Sequence, residues 1–156
     1  MNESDLTDRQ EPLFLDDLSL GQRFVSESHE LDVEQIKTFA AQFDPQPFHL
    51  DSEAAKGTFF NELVASGWHT AAITMRLLVR SGMPVSGGIV GAGGEISWPR
   101  PTRPDSVLHV ESEIVEIKPS RSNPTRGIVV IRSETINQHG EVVQILVAKL
   151  VVPRRV

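Results

Sequence analysis

"ASGWHTAAITMRLLVRSG", residues 65–82, decides how the rest of the chain has to be arranged. Trp68, Ala71, Ala72, Ile73, Met75, Leu77, Leu78 and Val79 put apolar groups on nearly every side of a helix. A helix that is hydrophobic all round is normally enclosed by other elements, so the stretch predicts one buried helix at the centre of the domain. Ser81-Gly82 and Pro84 supply its stop, because glycine readily takes the left-handed turn that closes a helix and proline cannot extend one. Gly67 stands at its start.

The segments beyond residue 84 must then provide the cover. "VLHVESEIVEI" (107–117), "RGIVVIRSETI" (126–136) and "EVVQILVAKLVV" (141–152) are rich in branched residues with partial two-residue alternation, the pattern of sheet faces with unequal burial. Asn137 to Gly140 reads as a hairpin turn, and "KPSRSNPTRG" (118–127) as a longer polar connection. Upstream, a first strand is expected around Gln22 to Leu31. "DVEQIKTFAAQF" (32–43) then shifts to a helical period, with Val33, Ile36, Phe39, Ala40 and Phe43 on one face. Asp32 and Gln35 have the spacing of a capping box, and Pro45 should end this helix near Asp44. Asp51 or Ser52 caps a further short helix to about Phe60. The order predicts an α+β domain, one helix against a curved antiparallel sheet.

Residues 1–12 are polar and acidic enough for a flexible N-terminal tail, leaving 13–156 as a single domain. With no cysteine, disulfides, thiolate metal sites and cysteine nucleophiles are excluded. The opening residues have neither a basic start nor an apolar run, so the expectation is a soluble, cytoplasmic protein with no membrane segment. A formal charge of −6 argues against a general nucleic-acid binder, which neutralises phosphates with a basic face. Arg100 with Arg103, and Arg121 with Arg126, read as solvated surface arginines.

The chemistry concentrates in "FAAQFDPQPFHLDSEAA" (39–55), where Asp44 and His49 flank two prolines in a chain with five histidines. Histidine titrates near ~6.5 and aspartate near ~3.9, so the two can act as acid and base if they converge. Spacing alone also suits a turn acid beside a surface imidazole. At Gly67 a helix start offers free amides and the positive end of the helix dipole, with no side chain to block a carbonyl oxygen. A metal site from Asp44, His49, Asp51 and His69 lacks any helical pair at the zinc-protease spacing. His29, His109 and His139 read as structural or exposed, and His69 as a hydrogen-bonded interior residue. No nucleophile elbow occurs, and "GGIVGAGG" is not a dinucleotide fingerprint.

"FDPQPFHLDSEAA" (43–55), followed by "ASGWHTAAITMRLL" (65–78) and "GGEISWPRPTRPDSVLHVESEI" (93–114), resembles the MaoC-like dehydratase and (R)-specific enoyl-CoA hydratase family of hot-dog folds. The resemblance runs from Gly21 to Val152 and rests on Asp44, Pro47, His49 and Gly67 in that order. Phe43 and Gln46 stand where the family often has Gly and Asn, Met75 where some members have a serine, and Pro104-Asp105 where Gly-Asp is common. The resemblance implies a central helix wrapped by an antiparallel sheet, a homodimer, and an acyl tunnel near the subunit interface. It implies reversible hydration of trans-2-enoyl thioesters, with coenzyme A as the expected carrier, Asp44 and His49 as catalytic residues and the Gly67 amide binding the substrate carbonyl. That chemistry calls for no metal or redox cofactor. A non-catalytic acyl-thioester binding subunit and a hot-dog thioesterase are the alternatives.

Overall fold

The computed structural model describes residues 11–155, so residues 1–10 of the expected tail lie outside the described residues. Three long strands build the frame: β4 (Ser106–Pro119), β5 (Arg126–Ile136) and β6 (Val142–Pro153). β4 and β5 alternate buried and partly exposed residues along most of their length, with Leu108, Val110, Ile114, Val129 and Ile131 turned inward. This is the period of two that a half-buried strand requires. The β5–β6 turn is the expected one: Gly140 N–H donates to Asn137 O at 3.1 Å, and Gly140 takes φ +76°. Among the described residues β3 (Val90–Ser97) pairs with β6 alone and β1 (Arg23–Val25) with β4, which gives the antiparallel order β1-β4-β5-β6-β3.

The strand expected over 22–31 is two strands, β1 (Arg23–Val25) and β2 (His29–Leu31), each paired with a different part of β4. Ser26 makes the break. Its N–H donates to Val110 O at 2.9 Å, but its hydroxyl, not its carbonyl, accepts from Val110 N–H at 2.8 Å. A serine side chain in the place of a ladder carbonyl lets the backbone leave the strand without stranding a buried donor.

Helix α1 (Val33–Phe43) follows the predicted bounds, with the Asp32 carboxylate accepting from Gln35 N–H at 2.9 Å. The reciprocal half of the capping box is absent, because the Gln35 amide donates to Glu30 O and its oxygen meets His29 Nε2. Two short helical turns follow, α2 (Pro47–Leu50) and α3 (Ser52–Ala55). The helix expected to reach Phe60 stops at Ala55, since Gly57 takes φ +81° and the chain turns. The central helix α4 (Gly67–Leu77) runs on through a π-turn over Leu78–Gly82, closed by Met83 N–H donating to Leu78 O at 2.8 Å.

α4 sits on the sheet through Ile73, Leu77 and Leu78, which join Leu108, Val110 and Ile131 in one core cluster. It is not buried all round, contrary to what its composition predicts. Trp68, Met75 and Val79 are 59%, 43% and 62% exposed, while Thr70 and Thr74 on the inner face are almost fully buried. Those threonines can face inward because their hydroxyls are hydrogen-bonded: Thr70 to Thr102, and Thr74 to Thr70 O and Thr135. One sheet covers one side of a helix, and the apolar outer side of α4 is left for another surface. Among the described residues no helix is long and apolar enough to cross a membrane.

Leu108 is fully buried beneath α4. Leu108→Ala is expected to lower the unfolding free energy by about 2–5 kcal/mol in urea titrations, with an unchanged denaturant slope.

Candidate active site

Pro45 fixes where the acid stands. A residue before proline is pushed out of the helical region, and Asp44 caps α1 with φ −153° and ψ 68° while its N–H still donates to Ala40 O at 2.9 Å. Pro47 occupies the first turn of α2, where a missing N–H costs nothing. That turn brings His49 back over the loop, 5% exposed and with its ring edge-on to Phe48 at 4.6 Å. It is therefore not the surface imidazole that spacing alone would suit.

The segment leading into α4 fixes both side chains. Val64 N–H donates to Phe48 O at 2.9 Å, and Val64 O accepts from His49 Nδ1 at 2.6 Å. A carbonyl only accepts, so Nδ1 carries the hydrogen and the neutral ring presents a bare Nε2. Nε2 faces Asp44 Oδ2 at 3.4 Å. Two acceptors that close leave no room for a molecule between them, so a water that donates to both would sit beside the pair.

Ser66 supplies the other constraint. Its hydroxyl donates to Asp44 Oδ2 at 2.7 Å and accepts from Trp68 N–H at 3.2 Å, so one side chain both holds the carboxylate and caps α4. The amides of His69 and Thr70 donate to Ser66 O at 3.0 and 3.1 Å. In the first turn of α4 the Gly67 N–H is left, among the described residues, without a hydrogen-bond acceptor, one residue from the serine that grips Asp44. Gln46 donates to Asp44 Oδ1 at 2.5 Å. Burial raises the Asp44 pKa, but the hydrogen bonds from Ser66 and Gln46 and the nearby His49 outweigh it and hold the carboxyl below its ordinary value.

The structure thus brings Asp44, His49 and Gly67 to one place and adds two residues that sequence reasoning passed over. Ser66 carried a signal, since serine immediately before an apolar helical run is a capping position. Gln46 was visible only as a departure from asparagine. Asp51 is elsewhere engaged, accepting from Ala54 N–H at 3.3 Å as the cap of α3. His69 is buried as expected, but its Nδ1 has no hydrogen-bond partner among the described residues, and its ring stacks on Phe39 at 4.5 Å. Burial, then the charge of His29, pushes its pKa down to about 4.

An acid–imidazole loop at the start of one helix, with that helix laid on a curved antiparallel sheet, is the arrangement of a hot-dog-fold domain. The model of the family described as "MaoC like domain" matches residues 18–135. The chain belongs to the MaoC-like dehydratase family. The crystal structure of the MaoC-like dehydratase from Rhodospirillum rubrum is 60% identical, superposes with a TM-score of 0.91, and is matched over 92% of this chain and 99% of that one. The (R)-hydratase PhaJ1 from Pseudomonas aeruginosa, in its unliganded form, gives 25% identity and a TM-score of 0.75 over 92% and 88% of the two chains. The Bacillus subtilis protein YdeM is 34% identical over 127 residues, 80% of this chain and 87% of that protein.

Ser66→Ala removes a helix cap and a carboxylate partner together. The expected result is a loss of about 1–2 kcal/mol of stability and a rise in the Asp44 pKa, read from its carboxyl ¹³C shift. Because the folded pKa of Asp44 is depressed, its stabilisation is present above the ordinary value of 3.8 and lost as pH falls through the folded value. The variant should flatten that acid limb.

His69 gives a second pH limb. Its folded pKa of about 4 lies below the ordinary 6.5, so the unfolded chain takes the proton first. Stability is full above 6.5, falls as pH drops towards 4, and levels off below. Urea midpoints should be lower at pH 5 than at pH 7.5, and His69→Phe should reduce the difference; an equal difference in the variant would contradict the assignment.

Proposed function

We propose that this protein is a hydratase/dehydratase that reversibly adds water to trans-2-enoyl thioesters, giving 3-hydroxyacyl thioesters, with coenzyme A as the carrier. The observation that carries the reading is the double use of Ser66: its hydroxyl holds Asp44 while its backbone leads into the free Gly67 amide. Acid–base pair and carbonyl-polarising donor then face one acyl group. Family membership and the likeness to the (R)-hydratase PhaJ1 support the same class.

A water that donates to both Asp44 and His49 Nε2 attacks C3 of the enoyl group as its proton passes to Nε2. The π electrons move towards the thioester oxygen, where the Gly67 N–H stabilises the developing enolate. The imidazolium, stabilised by Asp44, returns the proton to C2 and the thioester is left intact. Gln46, donating to Asp44 Oδ1, serves the carboxylate from the position where the family often has asparagine.

The active assembly is a homodimer. Trp68, Met75 and Val79 form an apolar row on the outer side of α4, and β3 is an edge strand with almost every residue exposed. Uncovered apolar helix and unpaired edge are features a second copy would cover.

Purified protein incubated with trans-2-enoyl-CoA of graded chain length should remove the enoyl absorbance without releasing thiol. Asp44→Asn and His49→Ala should each lower kcat/KM by about 10²- to 10⁴-fold. Thiol release in place of hydration would mark a thioesterase, absence of any turnover a binding subunit, and equal rates in wild type and both variants would remove Asp44 and His49 from the mechanism.

A further inference from the structure

The Gly67 amide can polarise a carbonyl only if its direction is fixed, and one ring stands against it. A Cβ added at Gly67 would lie 2.6 Å from Trp98 Cε2 and 2.8 Å from Cζ2, so the indole of Trp98 covers the Cα of this residue. The contact explains why position 67 has no side chain. Trp98 itself stays 39% exposed.

A half-exposed indole on the loop after β3 would ordinarily be free to turn. Here its Nε1–H donates to Gln144 Oε1 at 3.0 Å, and Gln144, on β6, is fully buried. An indole N–H can only donate, so the facing atom is the amide oxygen and the Gln144 NH₂ points the other way. That group donates to Thr74 Oγ1 at 2.9 Å. Thr74 donates to Thr70 O at 2.9 Å and accepts from Thr135 at 2.5 Å, which accounts for its one hydrogen and both lone pairs. The chain of bonds links β6, β5 and the middle of α4 to the ring that lies on the first residue of α4. The ring also meets Trp68 edge-on at 5.3 Å.

A buried amide is costly unless its bonds are made, and an apolar residue at 144 would fill the same space without that demand. Packing alone therefore does not account for glutamine there. We propose that Trp98, oriented by Gln144, is the positioning residue of the Gly67 amide: it holds the first peptide of α4 against rotation and so keeps its N–H directed at the thioester oxygen. The inference rests on the hydratase reading and extends it to two residues outside the acid–base pair.

Gln144→Leu, Trp98→Phe and the double variant test it. Each single change should lower kcat about tenfold with KM within about threefold, since small misplacement of a transition-state donor costs rate before binding. The double variant should be no slower than the slower single one, because Gln144 acts through the ring. If Gln144→Leu does not fold, Trp98→Phe decides, since it leaves the buried chain from Gln144 to Thr135 in place. A spectroscopic arm is independent of turnover: in the Trp68→Phe chain, butyryl-CoA should shift the emission of Trp98, and Gln144→Leu should abolish the shift. Hydration at wild-type rate in folded single variants, or losses that multiply in the double, overturns the proposal. A wild-type chain that hydrates nothing yet shows the emission shift retires the hydratase reading and keeps Trp98 at the ligand; no hydration and no shift overturns both.

Discussion

A single hydroxyl, that of Ser66, sets the relation between the helix and the loop on which the rest of the site depends. It donates to Asp44 and accepts from Trp68 N–H, so the acid and the first turn of α4 move as one unit. A cap of this kind contributes about 0.5–2 kcal/mol, and a hydrogen bond to an ionised carboxylate about 1.5–3 kcal/mol. Two residues earlier, Val64 holds His49 by its carbonyl and Phe48 by its amide. The backbone from 64 to 67 is thus the common support of imidazole, carboxylate and free amide. Convergence of groups from two separate stretches of sequence follows from four hydrogen bonds, and no special strain is needed.

That support itself has to be held. Ala65 N–H donates to Thr102 O at 2.8 Å, and Thr102 meets Thr70 through its hydroxyl. Trp98 then lies on Gly67 from the same loop. The loop between β3 and β4 is in this way the outer wall of the helix start. The inner face of α4 carries threonines where a simpler core would carry leucines, because each hydroxyl there ties the helix to a neighbouring element. Polar groups satisfied in a buried setting specify one arrangement more sharply than apolar packing does.

Much of this was legible in the sequence. The alternation of β4 and β5, the strand at β6, the Asn137–Gly140 turn, the bounds of α1 and the start of the central helix all follow from short-range pattern, and all appear in the structure. Asp44, His49 and Gly67 could be named from residue type and from resemblance. What the pattern could not show is what lies across space. The break at Ser26 depends on Val110, 84 residues away, and the short end of α3 on a glycine turn that periodicity did not weigh. The exposed outer row of α4 escaped because composition records that residues are apolar and says nothing of how many sides one sheet can cover. Ser66 was passed over because nothing in its neighbourhood points to Asp44, 22 residues away, and Gln144 sits in an apolar run that gives no hint of Trp98.

The most direct test of the account is a crystal structure of the protein with 3-hydroxybutyryl-CoA bound, in which every proposed contact can be read as a distance. The account predicts the thioester oxygen about 2.7–3.1 Å from the Gly67 nitrogen, the 3-hydroxyl between Asp44 and His49 Nε2, and C2 within reach of that same nitrogen atom. A thioester bound away from Gly67, or a hydroxyl that meets neither Asp44 nor His49, would contradict it.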